Sequence, residues 1–220
     1  MNSRERIDVT KAADRRRFFL QRAMRKNTRG SGSDLALLLT LPQSERPAIR
    51  TSLFEPVPVM LAGAHAANVY APERSTSDID FLVPHESFAA AEQRLRAAGY
   101  EMTRELPFPN AALGLYGSAW RSLKAGATVD LISSDQPWLP EAFAVPVELN
   151  RDGDRVLPLS YLVLMKVDID QGDLQRVLGR ISVEALEDVI RTVKRHYSDP
   201  AAPDDLRRYR EIGRWEYEIE

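Results

Sequence analysis

The 220-residue chain contains no cysteine. That excludes disulfides, thiolate catalysis and cysteine-ligated zinc, and it fits either redox compartment. Histidine is also scarce: His65, His85 and His196 are too scattered to make a zinc site. No apolar run approaches the roughly 18 residues needed to span a bilayer. The N-terminal MNSRERIDVT is polar where a signal peptide needs an apolar centre. A cytoplasmic protein is expected. There is no internal repeat and no low-complexity tract.

What is present is enough apolar sequence, 44%, for a substantial core in one large domain or one domain with a helical appendage. The charge is unevenly spread. Ten of the 30 Lys/Arg and three of the 32 Asp/Glu fall in residues 1–30, a balance of +7; the rest carries 20 basic against 29 acidic residues, −9. A basic arm on an acidic body suits docking onto that body, a polyanionic partner such as RNA, or a solvated helix face.

The arm reads as a helix over 9–26, joined by RGSGSD to a helix beginning DLALLLTL. VPVMLAG (57–63) reads as a strand ending in glycine, and AHAANVY (64–70) as a helix. Such a joint leaves free backbone N–H groups at a helix start, a general anion site. DIDFLV (78–83) is a strand, 85–98 an amphipathic helix closed by Gly99, and 100–106 another strand. PFPNAALG (107–114) is a loop; YGSAWRSL and ATVDLIS form a hairpin; PWLPEAFAVP is an irregular connection. Helices follow from about residue 159, one of them capped by Ser182. The pattern predicts an α+β fold: a mixed sheet flanked by helices, a helical C-terminal layer and a basic N-terminal helix, divided as 1–33, 34–158 and 159–220.

The chemistry concentrates in RSTSDIDFLVP. Strand side chains alternate, so Asp78 and Asp80 share a face. Asp130 has the same setting in TVDLIS, a lone acid among apolar residues. If the two strands are neighbours, three carboxylates converge. They repel unless a cation intervenes, and hard oxygens of this kind suit Mg²⁺, which completes its shell with water and phosphate. Two such ions clamp the attacking and leaving oxygens in nucleotidyl transfer. The alternative is a pair neutralised by Arg74.

The run LAGAHAANVYAPERSTSDIDFLV, with VDLIS and LSYLVLMKVD after it, resembles the DNA-polymerase-β-like nucleotidyltransferase superfamily, and within it the AbiEii-type toxins and related small bacterial nucleotidyltransferases. The resemblance spans about residues 57–180. It implies a nucleotidyltransferase-like fold and a metal-dependent enzyme moving NMP from an NTP to an acceptor hydroxyl. It also implies that Asp78, Asp80 and Asp130 hold two Mg²⁺ ions, with Asp130 helping to activate the acceptor. Gly63 and the N–H of Ala64 would cradle the triphosphate, with Arg74, Thr76 and Lys166 completing the nucleotide site. Implied partners are an NTP, a tRNA or other RNA acceptor reached through residues 1–30, and an antitoxin protein. An aminoglycoside acceptor and an inactive nucleotide- or partner-binding fold are the alternatives. The family has glycine or serine where this chain has Ala64, and the acids after Lys166 (Asp168, Asp170, Asp173) match its spacing only loosely.

Beyond the motifs, Arg74 is expected to brace the aspartates, and His65 either to face the site or to pack. Trp120, Trp138 and Trp215 are expected to pack, with base stacking the alternative for Trp138.

Overall fold

The computed structural model describes residues 50–72, 74, 76, 78–108, 111–123, 127–167 and 169–216. The expected basic arm, its glycine joint and the helix starting at Asp34 lie outside the described residues.

The elements run in chain order β1 (Met60–Leu61), α1 (Gly63–Tyr70), β2 (Asp78–Leu82), α2 (Phe88–Ala97), β3 (Tyr100–Glu105), β4 (Leu115–Ser122), β5 (Thr128–Ser134), α3 (Trp138–Ala144), β6 (Glu148–Leu149), β7 (Arg155–Val156), α4 (Leu159–Lys166), α5 (Gln171–Leu178), α6 (Val183–His196) and α7 (Ala202–Glu216). One seven-stranded sheet has the order β3-β4-β5-β2-β1-β7-β6. The β2–β5 and β1–β7 pairs are parallel and the others antiparallel, so the sheet is mixed, as expected. None of the described helices is long and apolar enough to cross a membrane.

Alternation along the central strands builds two apolar layers. Phe81, Val129, Leu131 and Trp120 face one side and are covered by Leu95 of α2 and by Phe54, which stacks edge-on against Phe81. Leu82 and Ile132 face the other side and join Leu162, Leu164, Leu174 and Val189 of the C-terminal helices. That second cluster draws side chains from both sides of residue 158.

Local rules account for the helix ends. Ser182 accepts a hydrogen bond from the Ala185 N–H and Asp170 from that of Asp173, so both cap orphan donors. Gly99 closes α2 at φ +82°. Two expectations differ. The 57–63 strand is only two residues long, because Pro56 and Pro58 withhold ladder donors. The connection read as irregular contains α3: Pro140 sits in its first turn, where a missing N–H does no harm, and Trp138 anchors it with its Nε1–H donating to the Leu113 carbonyl at 3.0 Å. Within the stretch expected to be helical from about residue 159, α5 is a separate short helix, set off by its Asp170 cap.

α5 and α7 pack at a glycine pair. A Cβ on Gly213 would lie 1.9 Å from the Gln175 carbonyl oxygen, and one on Gly179 would lie 2.5 Å from the Gly213 carbonyl carbon. Backbone cannot yield as a flexible side chain can. Gly213→Ala should therefore cost roughly 1–3 kcal/mol by overpacking, seen as a lower Tm with unchanged helix content at low temperature.

Candidate active site

β2 and β5 lie side by side and parallel, with Asp80 paired to Asp130 and Asp78 paired to Thr128. All three carboxylates therefore share the sheet face that carries α1, and all three are partly exposed.

Asp80 is held at the start of α1. Gly63 has φ +55°, which glycine tolerates best, and a Cβ there would fall 1.6 Å from the Asp80 Oδ2. Both conformation and space thus demand glycine. The Ala64 N–H donates to the same carboxylate, so one amide of the expected phosphate cradle is engaged by a protein acid. Burial, then the charges of Asp78 and Asp130, push the Asp80 carboxyl up to about 7, against the pull of Lys166 and the Ala64 N–H. Asp130 is raised to about 6 by burial and Asp78, with Arg104 opposing. Thr76 Oγ1 donates to Asp78 Oδ1 at 2.5 Å, which orients that side chain.

Arg74 lies elsewhere than expected. Its Nε and Nη2 donate to Asp173 at 2.7 and 2.9 Å and its Nη2 to Asp170 at 3.2 Å, rather than to the β2 aspartates. Lys166 Nζ donates to Asp173 at 2.6 Å, and Arg176 donates to Asp173 from Nε and Nη2. One buried carboxylate thus collects three cations. Burial alone would raise Asp173, but the hydrogen bonds from Arg74 and the charge of Lys166 hold it far below the usual carboxylate range. Arg176 also ties in Asn68 of α1. Sequence reasoning missed Asp173 as the organising residue; its spacing of three from Arg176 and seven from Lys166, on one side of adjoining helices, was the available signal.

Four further side chains can be placed. His65 is partly exposed and sits within the field of Asp78 and Arg74; burial lowers its pKa, against Asp78 and with Arg74. Trp138 is 1% exposed and committed to packing, as is Trp120, whereas Trp215 is 52% exposed.

The donor set suits a hard cation without enclosing one. Among the described residues no three acidic or histidine side chains converge into a closed metal site. Asp78 turns to Thr76 and Asp80 to the start of α1. Mg²⁺ needs only one or two carboxylates, however, and takes its other ligands from water and phosphate. The mutual repulsion that raises Asp80 and Asp130 is what such a cation relieves.

No protein-family model matches the chain, and no curated protein does. Among solved structures, a candidate nucleotidyltransferase from H. pylori is similar at 15% identity and TM-score 0.43, over 84% of this chain and 96% of its own. JHP933 from Helicobacter pylori gives 15% and 0.40, over 84% and 93%. ANT(2'')-Ia in complex with adenylyl-2''-tobramycin gives 15% and 0.38, over 73% and 89%. All three scores are low, and the chemistry below rests on this chain's own side chains.

Two outcomes test the electrostatics. Asp173→Asn should destabilise strongly, by roughly 3–5 kcal/mol, because it strands buried cations; chemical denaturation reads this. The second concerns Asp80, whose folded carboxyl binds its proton more tightly than the ordinary carboxylate, near 3.8. The folded state therefore holds more protons between about pH 4 and 7, so this group lowers stability as pH rises through that window. The Tm of Asp80→Asn minus that of the parent, without metal, should grow from pH 5 to pH 8.

Proposed function

We propose that the protein is a metal-dependent nucleotidyltransferase that moves the NMP group of an NTP onto an acceptor hydroxyl. The observation that carries this reading is the pairing of Asp80 with Asp130 across parallel strands, with Asp78 on the same face and the carboxylate of Asp80 against a glycine that begins a helix. Three acids within one another's fields, with no arginine in direct ion-pair contact among the described residues, are costly in a protein unless a cation uses them. Lys166, Arg74 and Arg176 are instead gathered on Asp173.

Asp78, Asp80 and Asp130 would hold Mg²⁺, which supplies charge neutralisation at the reacting phosphate and, as a pair of ions, a clamp on the attacking and leaving oxygens. The chain's own residues do the rest. Thr76 fixes the Asp78 carboxylate, and the Ala64 N–H fixes that of Asp80. Asp130, on the strand next to β4, accepts the proton of the acceptor hydroxyl as its oxygen bonds to the α-phosphorus. The bond from that phosphorus to the bridging oxygen breaks, and pyrophosphate leaves with the electron pair. Lys166 and Arg74 keep positive charge beside the triphosphate, and Asp173 holds both in position.

Mg²⁺ and an NTP together should raise the Tm more than the sum of their separate effects, since phosphate oxygens complete the metal's shell. Asp78→Asn and Asp80→Asn should abolish that synergy. Asp130→Asn should keep most of it and lose label transfer from an α-labelled NTP to total tRNA or tobramycin by at least about 100-fold, the usual scale of a lost general base. Synergy that survives both β2 variants would sink the reading.

A further inference from the structure

The sheet rows that contain the carboxylates continue to the open edge. Across the strands Asp80 pairs with Asp130, Asp130 with Ala119, and Ala119 with Arg104. The adjoining row runs Asp78, Thr128, Arg121, Glu101. Side chains in register across a sheet share a face. Arg104 and Arg121 therefore stand on the carboxylate face, and both are exposed, as is Glu101.

Arg104 reaches this face only because of an irregularity. β3 pairs Met102 with Trp120 and then Arg104 with Ala119, leaving Thr103 as an extra residue. Regular pairing onward from Met102 would put Thr103 opposite Ala119 and Arg104 opposite Ser118, on the face of the buried Trp120. One extra residue reverses every side chain after it, and bulges serve to re-aim side chains in this way. The bulge is pinned: Thr103 Oγ1 donates to the Ala119 carbonyl at 3.0 Å. Between Arg104 and Asp130 stands only the methyl group of Ala119. Neighbouring strands lie about 4.8 Å apart, so two spacings, about 10 Å, separate the two backbones; a guanidinium on its long stem reaches across Ala119, and its charge acts on Asp130.

α1 and the C-terminal helices cover the other end of this face, so an acceptor reaches Asp130 from the β3–β4 side. There it meets two arginines and one glutamate. With the carboxylates occupied by the proposed metal, the two arginines would disfavour a polycation beside Asp130, while a phosphate would be bound by the fork of Arg104. We propose that Arg104 is an acceptor-positioning residue: it holds a backbone phosphate of the acceptor next to Asp130, which makes the acceptor RNA rather than a polycationic aminoglycoside. The proposal rests on the nucleotidyltransferase reading for what Asp130 does, but the phosphate contact stands on the bulge and the sheet register alone.

The test measures binding of a fluorescent single-stranded oligouridylate to the full chain across a salt series, with the parent, Arg104→Gln, Arg104→Lys and a Thr103 deletion. Arg104→Gln should weaken binding about tenfold at low salt and reduce the slope of log K against log salt by about 0.7, one phosphate contact on a single strand. Arg104→Lys should keep the slope and recover part of the affinity, since it retains charge without the fork. The Thr103 deletion removes the extra residue and leaves Arg104 opposite Ala119, so it should keep the contact; a melting curve for each variant separates loss of binding from misfolding, and Arg104→Gln, at an exposed position, decides the matter should the deletion not fold. Tobramycin should bind the parent more weakly than it binds Arg104→Gln. Unchanged RNA affinity and slope in Arg104→Gln, or tobramycin bound more tightly by the parent, would overturn the proposal. Absence of Mg²⁺–NTP synergy in the parent, with the Arg104 slope change present, would refute nucleotidyl transfer and leave the RNA contact standing.

Discussion

Strand β2 and helix α1 meet where the Asp80 carboxylate occupies the space that any side chain on residue 63 would fill. That contact brings an acid against the start of a helix, where the Ala64 N–H and the helix dipole favour negative charge. It also fixes how close α1 lies to the sheet, and hence where Asn68 and the loop carrying Arg74 stand. Around it the acids cannot relax: Asp130 is held by strand pairing and Asp78 by Thr76, so their repulsion persists in the folded protein. Stability is given up locally at this cluster of acids.

The cost is balanced nearby. Asp173 draws Lys166, Arg74 and Arg176 into one buried network that links the C-terminal helices to α1 and to the loop before β2. The network keeps those cations from collapsing onto the β2 aspartates, which would neutralise the site. Lys166 still acts on Asp80 at a distance. Two groups of opposite sign are therefore held apart by geometry.

The open edge of the sheet supplies the asymmetry. Helices cover the carboxylate face at β1 and β2, whereas β3 beyond Tyr100 is exposed along its length. The bulge at Thr103 brings a guanidinium to that open side. A single backbone irregularity thus sets the sign of charge that an incoming molecule meets beside Asp130.

Much of this was legible in the chain. Alternation in DIDFLV put Asp78 and Asp80 on one face before any neighbour was known, and glycine at 63 marked the strand-to-helix joint. Ser182 announced its helix, because capping is a local interaction between a side chain and the backbone three residues on. Local pattern left undecided whether Asp130 lay beside Asp80, since that depends on which of seven strands pair. It also assigned Arg74 to the β2 aspartates, because its actual partner Asp173 lies 99 residues away in sequence and shares no periodicity with it. Trp138 was expected to pack, with base stacking the alternative, and its indole is bonded to the Leu113 carbonyl. The bulge was invisible for the same reason: an extra residue exists only relative to a partner strand. Sequence alone determined which residues carry charge and which way each strand turns them; only the tertiary structure decided which charges meet, because pairing across a sheet and burial between helices are set by contacts between distant parts of the chain.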